Sequence, residues 1–103
     1  MAAIKIHIET SGKPDREKED LKTLYDWANS QFPSGYTIYK TKGFWEKKSK
    51  ESFVIERYDK DLKLHQSQKL LSSIRALAKK LGQREVIITR YVVDSYQIST
   101  KKQ

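Results

Sequence analysis

Five residues within a short stretch of the chain have side chains that could bind a nucleic acid. They are Lys42, Trp45, Lys47, Lys48 and Lys50. A lysine ammonium group neutralises a phosphate and an indole ring stacks on a base, a combination that single-strand-binding proteins use. A second interpretation stays open, because Gly-x-Trp at a strand end also closes one end of a core. The lysines would then belong to a solvated turn.

A second basic group lies in a predicted helix further along the chain. Between Lys63 and Arg84 the sequence carries six basic residues and no acidic one. The four candidates on the outward face of this helix are Lys69, Arg75, Lys79 and Lys80. A basic helix without acids can lie along a phosphate backbone. The alternative is a solvated helix face, although such a face usually mixes both signs of charge.

The distribution of charge along the chain also favours an anionic partner. The 103 residues carry a net charge of +8, with −1 in residues 1–35 and +9 in residues 36–103. Such an imbalance favours polyanions, because every phosphate that is neutralised releases condensed counterions. Two alternatives remain, since lysines also keep small proteins soluble and could meet an acidic protein instead.

Enzyme chemistry has little support in the sequence. There is no cysteine, and the two histidines, His7 and His65, lack the spacing of a metal site. His7 shares a strand face with Glu9 and could meet Glu56 as an acid–base pair. A structural role is the more ordinary one for such a histidine. We therefore expect no catalytic residue, no metal and no cofactor.

Hydrophobic periodicity predicts the elements that must position these residues. Isoleucines alternate with polar residues in the first strand, and apolar residues at helical spacing mark the two helices. In the first helix this stripe comprises Leu21, Leu24, Tyr25 and Ala28. The predicted elements are a strand at 3–9, a helix from Pro14 to about residue 32, a strand at 36–42, a connection at 43–50, a strand at 52–58, a helix at 64–81 and a strand at 85–93. Phe44 and Trp45 could also extend the second strand into the connection.

The order β-α-β-β-α-β predicts a ferredoxin-like α+β sandwich, with one antiparallel sheet and two helices on one face. We expect a single domain over residues 1–99, followed by a basic tail at 100–103. The final strand is apolar on both of its faces, whereas a strand with one solvated face should alternate. This pattern favours a homodimer that covers the open face of the sheet.

Residues 27–90 resemble a family of small uncharacterised bacterial proteins with the same element order. The order and spacing of four short elements match this family. These elements are Phe32-Pro33-x-Gly35-x-Thr37, Gly43-x-Trp45, Glu51-Ser52 and Gln83-x-x-Val86. The resemblance implies the ferredoxin-like fold and no particular activity. Similar small basic domains also occur on phages and mobile elements.

Taken with the charge pattern, these features predict a small non-enzymatic protein that binds nucleic acid with low sequence specificity. One alternative is a protein-interaction or inhibitor module that acts as a homo-oligomer, as a phage or mobile-element accessory would. Another is a binder of a small anionic nucleotide. The N-terminus lacks a signal-peptide pattern, and no apolar run reaches membrane-spanning length. We therefore expect a cytoplasmic protein without a membrane partner.

Overall fold

The computed structural model describes residues 2–45, 48–59, 67–94 and 98–100, with the backbone alone for 43–45, 48–51 and 59. Four strands and two α-helices follow one another in the predicted order. Their bounds are β1 Ala2–Ile8, α1 Glu17–Gln31, β2 Thr37–Trp45, β3 Lys48–Asp59, α2 Gln68–Lys80 and β4 Ile87–Val92.

The four strands form one antiparallel sheet in the order β2-β3-β1-β4. β1 lies at the centre, where Ile6 pairs with Ile55 of β3 on one side and with Ile88 of β4 on the other. Both helices pack on the same face of this sheet. The predicted ferredoxin-like α+β fold is therefore confirmed.

The core lies between the sheet and the two helices. The alternation of β1 turns Ile4, Ile6 and Ile8 towards the helices, where each is buried to within 2% of full coverage. Leu24 of α1 and Leu77 of α2 pack against them and are equally buried. Burial of these aliphatic side chains supplies the main driving force that holds the helices on the sheet.

The first helix differs from the prediction at one position of its apolar stripe. Leu24 and Ala28 are buried as expected, but Tyr25 is 44% exposed and does not belong to the core. Trp27 packs against the core instead, and its indole Nε1 donates a hydrogen bond to Ser73 Oγ of α2 at 2.8 Å. The helix is therefore rotated relative to the prediction, and the indole of Trp27, rather than the ring of Tyr25, connects the two helices.

The connection predicted over residues 43–50 is much shorter in the structure. β2 runs to Trp45 and β3 begins at Lys48, and these two residues pair directly across the hairpin. Thr41, Phe44 and Trp45 are residue types that favour extended backbone, so the strands continue past the predicted turn. Because β1 pairs with β3 only as far as Phe53, the hairpin extends beyond the sheet as a two-stranded ribbon.

The second helix begins and ends on clear local signals. Ser67 is its N-cap, and the Ser67 hydroxyl accepts a hydrogen bond from the backbone N–H of Leu70. Gly82 follows with φ of +68°, and the N–H of Gln83 donates back to the carbonyl of Ala78. The predicted start at residue 64 lies outside the described residues. Within the described part of the chain, no helix is long and apolar enough to cross a membrane.

Candidate nucleic-acid interface

The second helix presents four cations to solvent. Lys69, Arg75, Lys79 and Lys80 are all exposed, as the sequence predicts. Within the residues that the structure describes, none of the four forms an ion pair. Two cations of α1 and the turn before it are paired instead, since Lys22 pairs with Asp26 at 2.7 Å and Arg16 with Glu19 at 4.0 Å. Helix α2 therefore keeps its charge available for an external anion.

Two of these cations lie on the side of α2 that faces β4. Arg75 and Lys79 are one helical turn apart, so they occupy the same stripe of the helix surface. Arg75 also lines a groove of about 230 Å³ together with Arg84, Val86 and Ile88, between the helix and the last strand. Arg84 was not among the predicted site residues. It ends the acid-free run of the sequence, and that was the signal by which it could have been found.

The other two cations of α2 lie on the flank of the same exposed face that is nearer to α1. Lys80 borders a cleft between the helices that also contains Asp26, so an acid stands nearby. Lys69 lies close to Arg57 at the other end of the helix. The rise of an α-helix separates Lys69 from Lys80 by about 16 Å along the axis. The four cations thus form an extended band along α2 and not a compact cluster.

The structure places the hairpin residues apart from this band. Lys42 is exposed on β2, Trp45, Lys48 and Lys50 lie in the strands with only their backbone described, and Lys47 lies outside the described residues. Helix α1 lies on the β2 side, where Lys40 Nζ is 3.8 Å from Glu17 Oε1. Helix α2 lies on the β4 side. The predicted site is therefore two separate groups with α1 between them, and the hairpin group stays a prediction.

The open face of the sheet carries a polar network that the sequence did not reveal. Lys5 Nζ lies 3.7 Å from Glu56 Oε2, and the hydroxyl of Tyr39 donates to the same oxygen at 3.1 Å. Lys5 Nζ also stands over the ring of Tyr91, 5.3 Å from its centroid. A hydrogen bond with Tyr58, and then those with Tyr39 and Lys5, lower the pKa of Glu56 despite its burial. Within this network Glu56 stays ionised, and a neighbouring cation balances its charge.

His7 does not meet Glu56, as the sequence had suggested it could. Its Nε2 lies 3.1 Å from the hydroxyl of Thr89 on β4, while Glu56 is occupied by Lys5. Burial lowers the pKa of His7, and the positive charge of Lys5 lowers it further. The imidazole is therefore neutral at pH 7, and the acid–base pair is not formed.

Lowering the pH is expected to destabilise the protein through His7. Because the pKa of His7 is lower in the folded chain than its usual 6.5, the unfolded chain binds the proton more readily. Stability from this group is complete above about pH 6.5 and falls as the pH drops towards the folded value. Urea unfolding at pH 7.5 and 5.5 should show a smaller change for His7→Gln than for wild type. Equal changes in the two proteins would contradict this.

A cleft of about 740 Å³ opens beside His7 at the end of the open face. It is bordered by Ser52 and Thr89 from the sheet and by Arg84 from the loop before β4. Glu9 and Glu85 also line it, so its charges are mixed. Among the described residues, no group of three histidine, aspartate or glutamate side chains could hold a metal ion.

Comparison with known proteins supports the fold alone. No family model matches the chain, and no curated protein matches it either. The chain is similar in structure to a proposed antibiotic biosynthesis monooxygenase from Deinococcus radiodurans, with a TM-score of 0.56 and 13% identity over 98% of this chain and 100% of that one. It is also similar to a DUF3240-family protein from Shewanella baltica, with a TM-score of 0.50 and 18% identity over 98% and 97%.

These two structural neighbours agree with the fold of the chain and show nothing beyond it. Both align along nearly their whole length with this single four-stranded sheet and its two helices. At such low identity the likeness extends to the fold and not to the activity of either neighbour.

Proposed function

We propose that the protein binds the phosphate backbone of nucleic acid through α2. The observation that carries this proposal is the band of four exposed cations on a helix without acids, none of which has an ion-pair partner within the described chain. A cation that is already solvent-exposed and unpaired gives up no internal ion pair when it contacts a phosphate. The counterions released from the nucleic acid then supply the free energy of binding.

The side chains between these cations indicate which part of the nucleic acid is contacted. Ser72 and Ala76 occupy the same exposed side of α2, and no aromatic residue lies on the helix. Stacking on unpaired bases needs an aromatic side chain, whereas cations contact phosphates whatever the base sequence. The helix therefore suits backbone contacts on a duplex, with low sequence specificity.

A matched pair of double variants tests this proposal. In Arg75→Gln/Lys79→Gln, two α2 cations are lost. In Lys13→Gln/Lys18→Gln, two exposed cations that form no ion pair with any described residue are lost from the region around the start of α1. Both variants lower the net charge by the same amount. Binding to a labelled DNA duplex is followed by fluorescence anisotropy at salt concentrations between 50 and 200 mM.

In the α2 variant, the negative slope of log affinity against log salt is expected to become shallower by about 1.8, because each lost phosphate contact removes about 0.9 from its magnitude. The α1 variant should keep the wild-type slope. Equal slopes for the two variants would show that net charge, and not α2, determines binding. A wild-type protein that binds no duplex at 50 mM salt would overturn the proposed function altogether.

A further inference from the structure

The open face of the sheet differs in composition from the rest of the protein. A third of the residues in the chain are charged. On the open face, however, the described strand side chains include only one cation and one carboxylate, Lys5 and Glu56, which pair with each other. Tyr39, Tyr58 and Tyr91 stand around this pair. Protein interfaces share this signature, since their centres are rich in aromatic residues and poor in charge.

The surface of the open face is uneven, because large exposed side chains lie beside small buried ones. Tyr58 and Tyr91 both pair with Ala3 of β1, so they stand on either side of the smallest side chain in that row. Both tyrosines are about half exposed, whereas Ala3 and Val54 are nearly covered. Ile87 projects next to His7 and is 61% exposed. The face therefore offers projecting apolar groups and a shallow recess.

The charge of the open face determines which kind of partner can bind there. A nucleic acid needs unpaired cations, which the described part of the open face does not offer, because Lys5 is neutralised by Glu56. A strongly acidic protein would lack a partner there for the same reason. A second copy of this chain meets a neutral face with another neutral face, so its net charge of +8 stays on other surfaces. Among contacts between two copies, the isologous one through this neutral face keeps the α2 cations farthest apart and therefore has the least repulsion.

The size of the face limits the area that this contact can bury. Four paired strands of six or seven residues span roughly 19 Å by 22 Å, or about 400 Å² in projection, and the relief of the side chains adds to this area. Interfaces at the small end of the specific range bury about 600 Å² per partner. The face falls below this range in projection, which corresponds to a weak and transient dimer that concentration or a shared ligand would populate.

We propose that two copies pack through their open sheet faces and that the dimer bridges two nucleic-acid duplexes. The bridging rests on the proposed function of α2, whereas the dimer does not. Both helices of each copy lie on the face opposite to the interface. Two stacked sheets, each about 10 Å from the next layer, therefore hold the two α2 helices on opposite outer surfaces, roughly 30 Å apart. One duplex cannot occupy both surfaces without bending around the dimer.

Two variants of β4 distinguish a contact through the open face from a general effect of adding a negative charge. Ile87→Glu places a carboxylate on the open face, and Val92→Glu places one on the other side of the same strand, where Val92 is 71% exposed. Light scattering at protein concentrations from 5 to 500 µM reports the mass. A bead carrying one duplex, incubated with a second, labelled duplex, reports bridging.

Wild type and Val92→Glu are expected to dimerise and to retain the labelled duplex on the bead. Ile87→Glu should remain a monomer, bind single duplexes with the wild-type salt slope and lose at least ten-fold in bridging. A wild type that is monomeric throughout, with and without duplex, would overturn the proposal, and so would an Ile87→Glu variant that still dimerises and bridges. If wild type dimerises but binds no duplex, the proposed function of α2 fails and bridging fails with it, while the open-face contact stands.

Discussion

Replacing Lys69, Arg75, Lys79 and Lys80 together with glutamine is expected to weaken duplex binding by roughly 100-fold or more at 50 mM salt. Four phosphate contacts predict a wild-type salt slope of about −3.6, which corresponds to a loss of roughly 150-fold in affinity between 50 and 200 mM salt. The fourfold variant has none of these contacts, so its remaining affinity should depend little on salt. Anisotropy titrations of both proteins against the same duplex measure the two quantities.

The fourfold variant should keep the wild-type fold, because all four side chains are exposed and glutamine is as good a helix former as lysine or arginine. Circular dichroism and urea unfolding provide this control. An affinity within three-fold of wild type at 50 mM salt, in a folded variant, would show that α2 does not carry the binding.

Replacing Leu77 with alanine is expected to lower the free energy of unfolding by about 2–5 kcal/mol. Leu77 is 1% exposed at the centre of the contact between α2 and the sheet, and its removal leaves a cavity that rigid neighbours fill only in part. For a domain of this size, the midpoint of thermal unfolding should fall by roughly 10–30 °C. Urea unfolding at pH 7.5 measures the free energy.

Leu71→Ala provides the matched control for this second prediction. Leu71 lies on the same helix but is only half buried, beside the groove that Arg75 and Arg84 line. Its replacement should cost less than about 1.5 kcal/mol, because less apolar area is lost from the core. Similar costs for the two variants would mean that α2 does not pack on the sheet through Leu77. Should Leu77→Ala not fold, Leu77→Met is expected to fold with a loss below about 1.5 kcal/mol.

Local patterns in the sequence predict most of the fold. The alternation of Ile4, Ile6 and Ile8 identifies the central strand and its buried face, since the strand period leaves no other arrangement. The leucines of α2 and the glycine that follows them identify that helix and its end. The order of these elements then leaves few topologies, among which the ferredoxin-like one is the simplest.

The errors arose where tertiary contacts outweigh local patterns. Tyr25 and Trp27 both lie near the apolar stripe of α1. Trp27 packs inward, where it contacts the ring of Phe32 and donates a hydrogen bond to Ser73 of the other helix. The length of the hairpin ribbon was predicted only in part, because Phe44 and Trp45 favour a strand whereas Gly43 and the lysines are typical of a turn. Pairing across two long strands kept this segment extended.

Only part of the candidate site could be predicted, because the rest of it depends on tertiary contacts. The cations of α2 follow from the helical period of that one segment, so their exposure could be predicted. That α1 stands between them and the hairpin depends on sheet order and helix packing, which no local pattern encodes. The pairing of Lys5 with Glu56 joins residues 51 positions apart in the chain, and it is this pairing that leaves the open face neutral.

The central claim is that α2 is the surface that binds the phosphate backbone. Its most direct test is an NMR titration of isotopically labelled protein with a DNA duplex. The described structure predicts that the amide signals of α2 and of the loop to Arg84 shift most and that those of the open face shift little at low protein concentration. Shifts confined to the hairpin or to the open face, with α2 unaffected, would contradict the account.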